Sequence, residues 1–180
     1  KQLKKKIEEL YANEYTSESS RDKLAMIRSE LFDFEISFKS IIEAIIAKGF
    51  RDYVVIGEMR RTAHRIEDEK LLPKSDILML RRYEKDYIIR QSDTYLDRHS
   101  AYLQKCLQNI EYDPKLNAAE KELSYQLLTE YEGQFKEMSQ LDRAIGLATN
   151  TGLKKNLNKN IKKIIGNVDE LKLEVLSNQD

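Results

Sequence analysis

Apolar side chains recur at alternating steps of three and four residues through the first third of the chain. This spacing places them on one face of an α-helix, and it is typical of a helix packed in a bundle or coiled coil. It predicts one helix from Ser17 to about Lys48, about 48 Å long at the standard rise and too long for a compact globule. The seam consists of Leu24, Ile27, Leu31, Phe34, Phe38, Ile41 and Ile45.

Signals that end or start helices divide the remaining chain into a few long segments. Only two prolines and six glycines interrupt 180 residues, and this scarcity favours helices over sheet. Gly49 is a helix stop, and each proline both ends one helix and starts the next. Leu3 and Leu10 share the heptad register of the seam, while the polar segment from Asn13 to Ser20 predicts a break. The predicted helices are Ser17 to Lys48, Tyr53 to Lys70, Pro73 to Glu111, Pro114 to Ile145 and one that begins at Leu153.

The predicted fold class is therefore all-α. We expect an elongated antiparallel bundle of five to six helices that forms a single domain over residues 1–180. A weak internal repeat accompanies this pattern, because Phe38 stands eleven residues before Gly49 and Phe135 stands eleven residues before Gly146. Its physical interpretation is two stacked four-helix-type modules that share long helices.

Composition and motifs argue against several functional classes. The 31 basic and 31 acidic side chains cancel, so no electrostatic feature favours nucleic acid. The two histidines, His64 and His99, form no Glu-x-x-His pair, and the single cysteine, Cys106, is expected to pack in the core. No phosphate loop, nucleophile elbow or zinc motif occurs. The sequence predicts a protein that is not an enzyme and needs no cofactor.

The segment from Leu80 to Tyr95, LRRYEKDYIIRQSDTY, crowds charged and aromatic residues together. Residues at three- and four-residue steps through it predict one continuous helical face, in which two cations precede an aromatic and apolar stripe. Arginine forks bind carboxylates in pairs of charge-assisted hydrogen bonds, so a small anion is one partner for these cations. The alternative is that Arg81, Lys85 and Arg90 pair with Glu84, Asp86 and Asp93 along the helix. The predicted face comprises Arg81, Lys85, Ile88, Ser92, Tyr95, His99, Tyr102 and Cys106.

Three segments resemble the helical bimodular sensor domains of bacterial chemoreceptors and histidine kinases. RRYEKDYIIRQSDTYLDR, from Arg81 to Arg98, is similar to their Arg-Arg-x-Glu-Lys-Asp-aromatic stretch. The Gly-x-x-Arg-x-x-x-His-x-x-Glu pattern between Gly57 and Glu67 is similar to the helix that precedes it. YEGQFKEMSQLDRAIGLATNTGL, which begins at Tyr131, looks like the closing segment.

The resemblance implies an extracytoplasmic, periplasmic input domain of a transmembrane signalling protein, bounded by membrane-spanning segments outside this sequence. It implies a homodimer that binds a small molecule between helices, often an organic acid. The ligand is therefore expected to carry a carboxylate. The candidate ligand-binding residues are Arg81, Arg82, Lys85, Arg90, Arg28 and Tyr87.

Two other classes of function fit the same sequence. A ligand-free structural or protein-interaction bundle would expose an apolar stripe larger than a few hundred Å², and the last helix offers one through Ile161, Ile164, Val168 and Leu171. A membrane-surface protein needs a basic face beside an apolar one, which only the segment from Lys154 to Lys163 approaches.

Overall fold

The computed structural model describes residues 2–50 and 52–177, and these residues form seven helices and no strand. The predicted all-α class and its antiparallel helical packing are confirmed. One helix more than expected is present, since five to six were predicted. The helices are α1 (Gln2–Tyr11), α2 (Glu18–Lys48), α3 (Val54–Asp68), α4 (Lys74–Arg90), α5 (Asp93–Tyr112), α6 (Ala118–Ile145) and α7 (Gly152–Ser177).

The chain divides into two compact units. The terminal unit comprises Lys1–Glu43 together with Ala144–Asp180, and the central unit comprises Ala44–Arg143. The central unit contains the larger core, which draws buried apolar side chains from α3, α4, α5 and α6. Each such side chain stabilises the fold by roughly 1.5–3 kcal/mol relative to its exposed state. The largest of them are Tyr87, Tyr131, Phe135, Met59, Ile66, Ile77, Leu80, Leu103, Leu127, Leu128 and Met138.

The terminal unit has a small apolar core and a polar contact between α2 and α7. Ile7, Leu24 and Ile27 are buried there against Leu171. The Glu174 carboxylate of α7 accepts hydrogen bonds from serine hydroxyls at the start of α2, and these bonds lower its pKa to about 2. An anion at a helix N-terminus also interacts favourably with the helix dipole. The donors are Ser17, Ser19 and Ser20.

The apolar seam of α2 is only partly covered. Leu24, Ile27 and Ile41 are buried, whereas Phe38 and Ile45 are exposed. The three-and-four spacing thus predicted the helix correctly, and part of its seam is exposed among the described residues. Spacing fixes which side chains share a face and does not supply a partner for that face.

The predicted helix from Pro73 to Glu111 is two helices, so the prediction of one continuous face through this segment was wrong. Gln91 adopts a left-handed conformation (φ 50°, ψ 39°), and its N–H donates to the Tyr87 carbonyl oxygen at 2.7 Å. The chain then turns back, so α4 and α5 pack side by side. The Tyr102 hydroxyl on α5 donates to Asp76 Oδ1 near the start of α4 at 2.8 Å, which fixes the antiparallel pairing.

Gly49 follows the last residue of α2, as the sequence predicted, and Gly146 follows the last residue of α6 in the same way. Gly49 and Gly146 have φ values of 81° and 112°, a region that other L-residues rarely occupy. A Cβ at Gly49 would clash with the Tyr53 carbonyl oxygen, and one at Gly146 would clash with that of Thr151. Only glycine allows these two close approaches of backbone to backbone.

Candidate functional site

The arginine that heads the central segment belongs to a buried polar network. On α4, Arg81 and Glu84 stand three residues apart on one helical face, and Arg81 Nη1 donates to Glu84 Oε2 at 2.6 Å. The Tyr131 hydroxyl of α6 donates to the same oxygen. Glu84 is only 4% exposed and Tyr131 is fully buried. The carboxylate thus links the two helices.

Electrostatics keeps Arg81 charged and Tyr131 neutral at neutral pH. Burial raises the pKa of Tyr131 well above its usual value, and the neighbouring Glu84 carboxylate raises it further. For Arg81, burial acts against the charge, but Glu84 and Tyr131 outweigh burial and the pKa of the guanidinium is raised. Arg81 therefore compensates the buried carboxylate, and its side chain is 17% exposed. Its role as a ligand-binding residue stays a prediction.

The other cations of α4 lie on its outer surface. Arg82 Nε is 3.9 Å from one oxygen of Asp86, and Arg90 Nε is 3.7 Å from the other. The Arg90 guanidinium also lies 5.7 Å from the centroid of the Tyr95 ring. Lys85 is exposed. This arrangement follows the alternative drawn from the sequence for Arg81 and Arg90, which pair with Glu84 and Asp86, whereas Asp93 pairs with Arg143 of α6.

The two remaining candidates have contacts of their own. Arg28 belongs to the terminal unit, where its Nη1 is 3.2 Å from Glu8 Oε1. Tyr87 is buried in the core of the central unit, its hydroxyl 3.4 Å from the Ser139 carbonyl oxygen and its ring edge-on to Phe135. Within the central unit, Arg81, Tyr87 and the Arg82–Asp86–Arg90 group thus make separate contacts.

A different part of the central unit contains a cavity that is lined by polar residues. Its volume is about 240 Å³, and it lies between α5 and α6. Acidic, basic and neutral polar side chains line it, together with two apolar side chains. The lining residues are Leu96, Asp97, His99, Ser100, Glu132, Phe135, Lys136, Ser139, Gln140 and Arg143.

His99 is the most deeply buried polar residue of this cavity, being 1% exposed. Its ring packs against Phe135 and Tyr131, with centroid distances of 4.5 and 5.4 Å. Burial lowers the pKa of His99 to about 4, Lys136 lowers it too, and Glu132 acts in the opposite direction. The ring is therefore neutral at pH 7. Within the described residues its buried Nε2 has no hydrogen-bond partner.

Glu132 lies beside His99 and keeps one carboxylate oxygen available. Its Oε1 accepts from the Ser100 hydroxyl at 2.7 Å and from Lys136 Nζ at 3.0 Å. Burial would raise the pKa of this carboxyl, but the bonds from Ser100 and Lys136 outweigh burial and lower it. Nothing in the described part of the chain donates to its Oε2. Arg143, another lining residue, binds Asp93 at 2.7 Å.

The cavity therefore suits hydrogen bonding to a small polar molecule. A neutral imidazole either donates or accepts at Nε2, depending on its tautomer, and a partly open carboxylate lies next to it. No group of three or more metal-ligating side chains occurs among the residues described, so these residues give no basis for a metal site.

Sequence reasoning missed this site for an identifiable reason. His99 was recognised as part of a helical stripe, but Glu132 is 33 residues further on and on another helix. The sequence contains only a weak signal for the site. This signal is a histidine within a stripe of apolar residues at helical spacing on α5, together with a Glu132-x-x-x-Lys136 pair on α6. Only the packing of α5 against α6 shows that they meet.

Burial of His99 predicts a loss of stability in mild acid. The pKa of His99 is about 4 in the folded chain and near 6.5 in an unfolded one. Between these values the unfolded chain binds a proton that the folded chain does not, so stability is complete above about pH 6.5 and falls towards pH 4. We expect a loss of about 2 kcal/mol in the free energy of unfolding between pH 7 and pH 5.

Urea denaturation of the wild type and of His99→Gln at both pH values measures this loss. The variant should lack this part of the pH dependence, while His64→Gln, which changes an exposed histidine, should retain it. Equal pH dependence in the wild type and His99→Gln would show that His99 titrates normally.

No protein-family model, curated protein or solved structure matches this chain. Among the residues that the structure describes, no helix has both the length and the apolar character to cross a membrane.

Proposed function

We propose that this chain is a ligand-binding input domain that holds a small molecule in the cavity between α5 and α6. The observation that carries the proposal is the buried, unpartnered Nε2 of His99. A buried polar group without a partner costs roughly 1–3 kcal/mol, and a ligand that supplies the missing hydrogen bond recovers part of that cost. The cavity and the open oxygen of Glu132 give such a ligand space and a second contact.

The wider role rests on the resemblance of the segment from Arg81 to Arg98 to bacterial sensor domains. In that role the domain is periplasmic, dimeric and attached to the membrane through segments outside this sequence. Ligand binding would favour one arrangement of α5 and α6 over another, and the shift is limited by the ligand's differential affinity for the two states. The carboxylate-bearing ligand expected from the sequence remains part of the proposal, with Lys136 and Arg143 as nearby cations.

Thermal denaturation against a panel of small carboxylates, amino acids and amines, all pH-matched, tests the proposal. A ligand present at 100 times its dissociation constant stabilises the folded state by about 2.7 kcal/mol. This corresponds to a rise in Tm of roughly 5–10 °C for a chain of this size. We expect at least one such compound, and we expect its effect to disappear in His99→Phe, which replaces the imidazole with an apolar ring.

His64→Gln provides the matched control, because it removes an imidazole that is exposed on α3. This variant should show the same Tm rise as the wild type. A compound that stabilises His99→Phe as much as the wild type would place binding elsewhere and contradict the proposed site.

A protein-interaction bundle is the second candidate, and a specific observation favours it. Of the stripe predicted on α7, Val168 is exposed, whereas Ile161, Ile164 and Leu171 are half-buried. Other large apolar side chains of this helix are exposed in the terminal unit. A panel without any stabilising compound would favour this candidate over ligand binding. The exposed residues are Ile165, Val168, Leu173, Val175 and Leu176.

A further inference from the structure

We propose that the cavity between α5 and α6 takes a small zwitterion, an amino acid with a short neutral side chain. This inference rests on the proposed function and adds the chemical class of the ligand. In the complex, Glu132 and His99 bind the ammonium group, and Lys136 and Arg143 bind the carboxylate.

The charges around the cavity are balanced, and this balance selects the class of ligand. Two acidic residues, Asp97 and Glu132, and two basic residues, Lys136 and Arg143, line it. A monocarboxylate would meet both cations but would also approach the carboxylates of Asp97 and of Glu132, the latter already paired with Lys136. A simple amine would face the two cations. A zwitterion satisfies both signs, because like charges at close range disfavour binding.

The ammonium end is defined by His99, which is 1% exposed, and by Glu132, whose side chain is 13% exposed. Glu132 Oε1 is occupied by Ser100 and Lys136, which leaves Oε2 as an acceptor in the described structure. His99 in its Nδ1–H tautomer offers Nε2 as a second acceptor beside it. An ammonium group has three donors and no acceptor, so it fits a carboxylate oxygen and a neutral imidazole nitrogen.

The carboxylate end lies towards the solvent. Lys136 and Arg143 are about half exposed, and each has one acidic partner, Glu132 and Asp93 respectively. An ammonium carries three N–H donors and a guanidinium carries five, so both retain donors for a ligand carboxylate. The arrangement places positive charge at the mouth and the acceptors further inside.

Size and apolar lining restrict the side chain of the ligand. A cavity of about 240 Å³ is below the usual range for drug-sized ligands, so it suits a molecule of a few heavy atoms. Leu96 and Phe135 supply the apolar wall against which a methyl or isopropyl group can pack. Glycine, alanine, serine and valine fit these limits.

Isothermal titration calorimetry with L-alanine and its one-charge analogues tests the inference. Propionate is alanine without the ammonium group, and ethylamine is alanine without the carboxylate. We expect L-alanine, or another of the four amino acids, to bind at least about tenfold more tightly than the corresponding analogues, because each analogue lacks one of the two charged contacts with the cavity.

The variant Glu132→Gln adds a second arm to the experiment. It keeps a side-chain oxygen for Ser100 but removes the charge that holds the ammonium, so amino-acid affinity should fall at least about tenfold. Glu137→Gln is the matched control, since Glu137 is exposed on the same helix and does not line the cavity. It should bind like the wild type.

The outcomes separate the inference from the proposed function. Propionate binding as tightly as alanine, with no effect of Glu132→Gln, would overturn the zwitterion and leave a ligand-binding domain. The zwitterion would also be overturned if only non-zwitterionic compounds raised the Tm of the wild type and failed to raise that of His99→Phe. A ligand-binding domain would again remain. Failure of every compound in both experiments would overturn the inference and the proposed function together.

Discussion

Glu84→Ala should lower the free energy of unfolding by about 3–5 kcal/mol, the cost usually seen when one partner of a buried ion pair is removed. The Glu84 carboxylate is the common acceptor for Arg81 and Tyr131. Its loss leaves a largely buried guanidinium without a counter-charge and a fully buried hydroxyl without an acceptor. Urea denaturation at pH 7 measures the change.

The chain supplies a matched control in another arginine–glutamate pair with the same three-residue spacing. Arg61 Nη2 and Glu58 Oε1 are 2.5 Å apart on α3, but both side chains are more than half exposed. Glu58→Ala should cost less than about 1 kcal/mol, because water already solvates both charges. Similar losses in the two variants would mean that Glu84 is not a buried partner.

The double variant Arg81→Met/Glu84→Leu tests whether Arg81 only compensates the Glu84 carboxylate or also binds a ligand. Well-packed apolar residues often replace a buried ion pair with little loss. If Arg81 only compensates Glu84, the double variant should be far more stable than Glu84→Ala and should keep any ligand binding. Loss of binding in a stable double variant would restore Arg81 as a ligand-binding residue.

Phe135→Ala should destabilise the chain by about 3–5 kcal/mol, the usual cost of truncating a buried aromatic side chain. Phe135 is buried in the central core, edge-on to Tyr87 and against the ring of His99. Truncation removes these contacts and leaves a void beside the cavity. Urea denaturation measures the loss, and Phe32→Ala, at a position 59% exposed, should cost below about 1 kcal/mol.

Equal and small effects at these two positions would contradict the placement of Phe135 in the core. The variant also bears on the cavity, because Phe135 forms its apolar wall. An amino acid whose side chain packs against Phe135 should bind the Phe135→Ala variant more weakly, even under conditions in which all of the variant is folded.

The fold could be predicted from the sequence because helical periodicity is a local property. The three-and-four spacing of α2 and the glycines at 49 and 146 were enough to place long helices and two of their ends. The break at Gln91 could not be predicted in this way. It consists of a single left-handed residue that is neither glycine nor asparagine, and only Ser92 and Asp93 hint at a new helix start.

The candidate site was harder to predict because its parts are distant in sequence. Residue types drew attention to Arg81, Arg82 and Arg90, yet the structure pairs these cations with acidic residues of α4. The contact between Ser100 and Glu132, by contrast, depends on how α5 packs against α6. Propensity and spacing specify a helical face, and tertiary packing decides which faces meet.

The most direct test of the account is a nuclear magnetic resonance titration of the chain labelled with ¹⁵N-histidine. The sequence contains only two histidines, so both can be assigned with single substitutions. On addition of the best compound from the panel, the Nε2 resonance of His99 should shift as it gains a hydrogen-bond partner, and that of His64 should stay unchanged. Saturable binding that leaves the His99 resonance unmoved would contradict a ligand site in the cavity between α5 and α6.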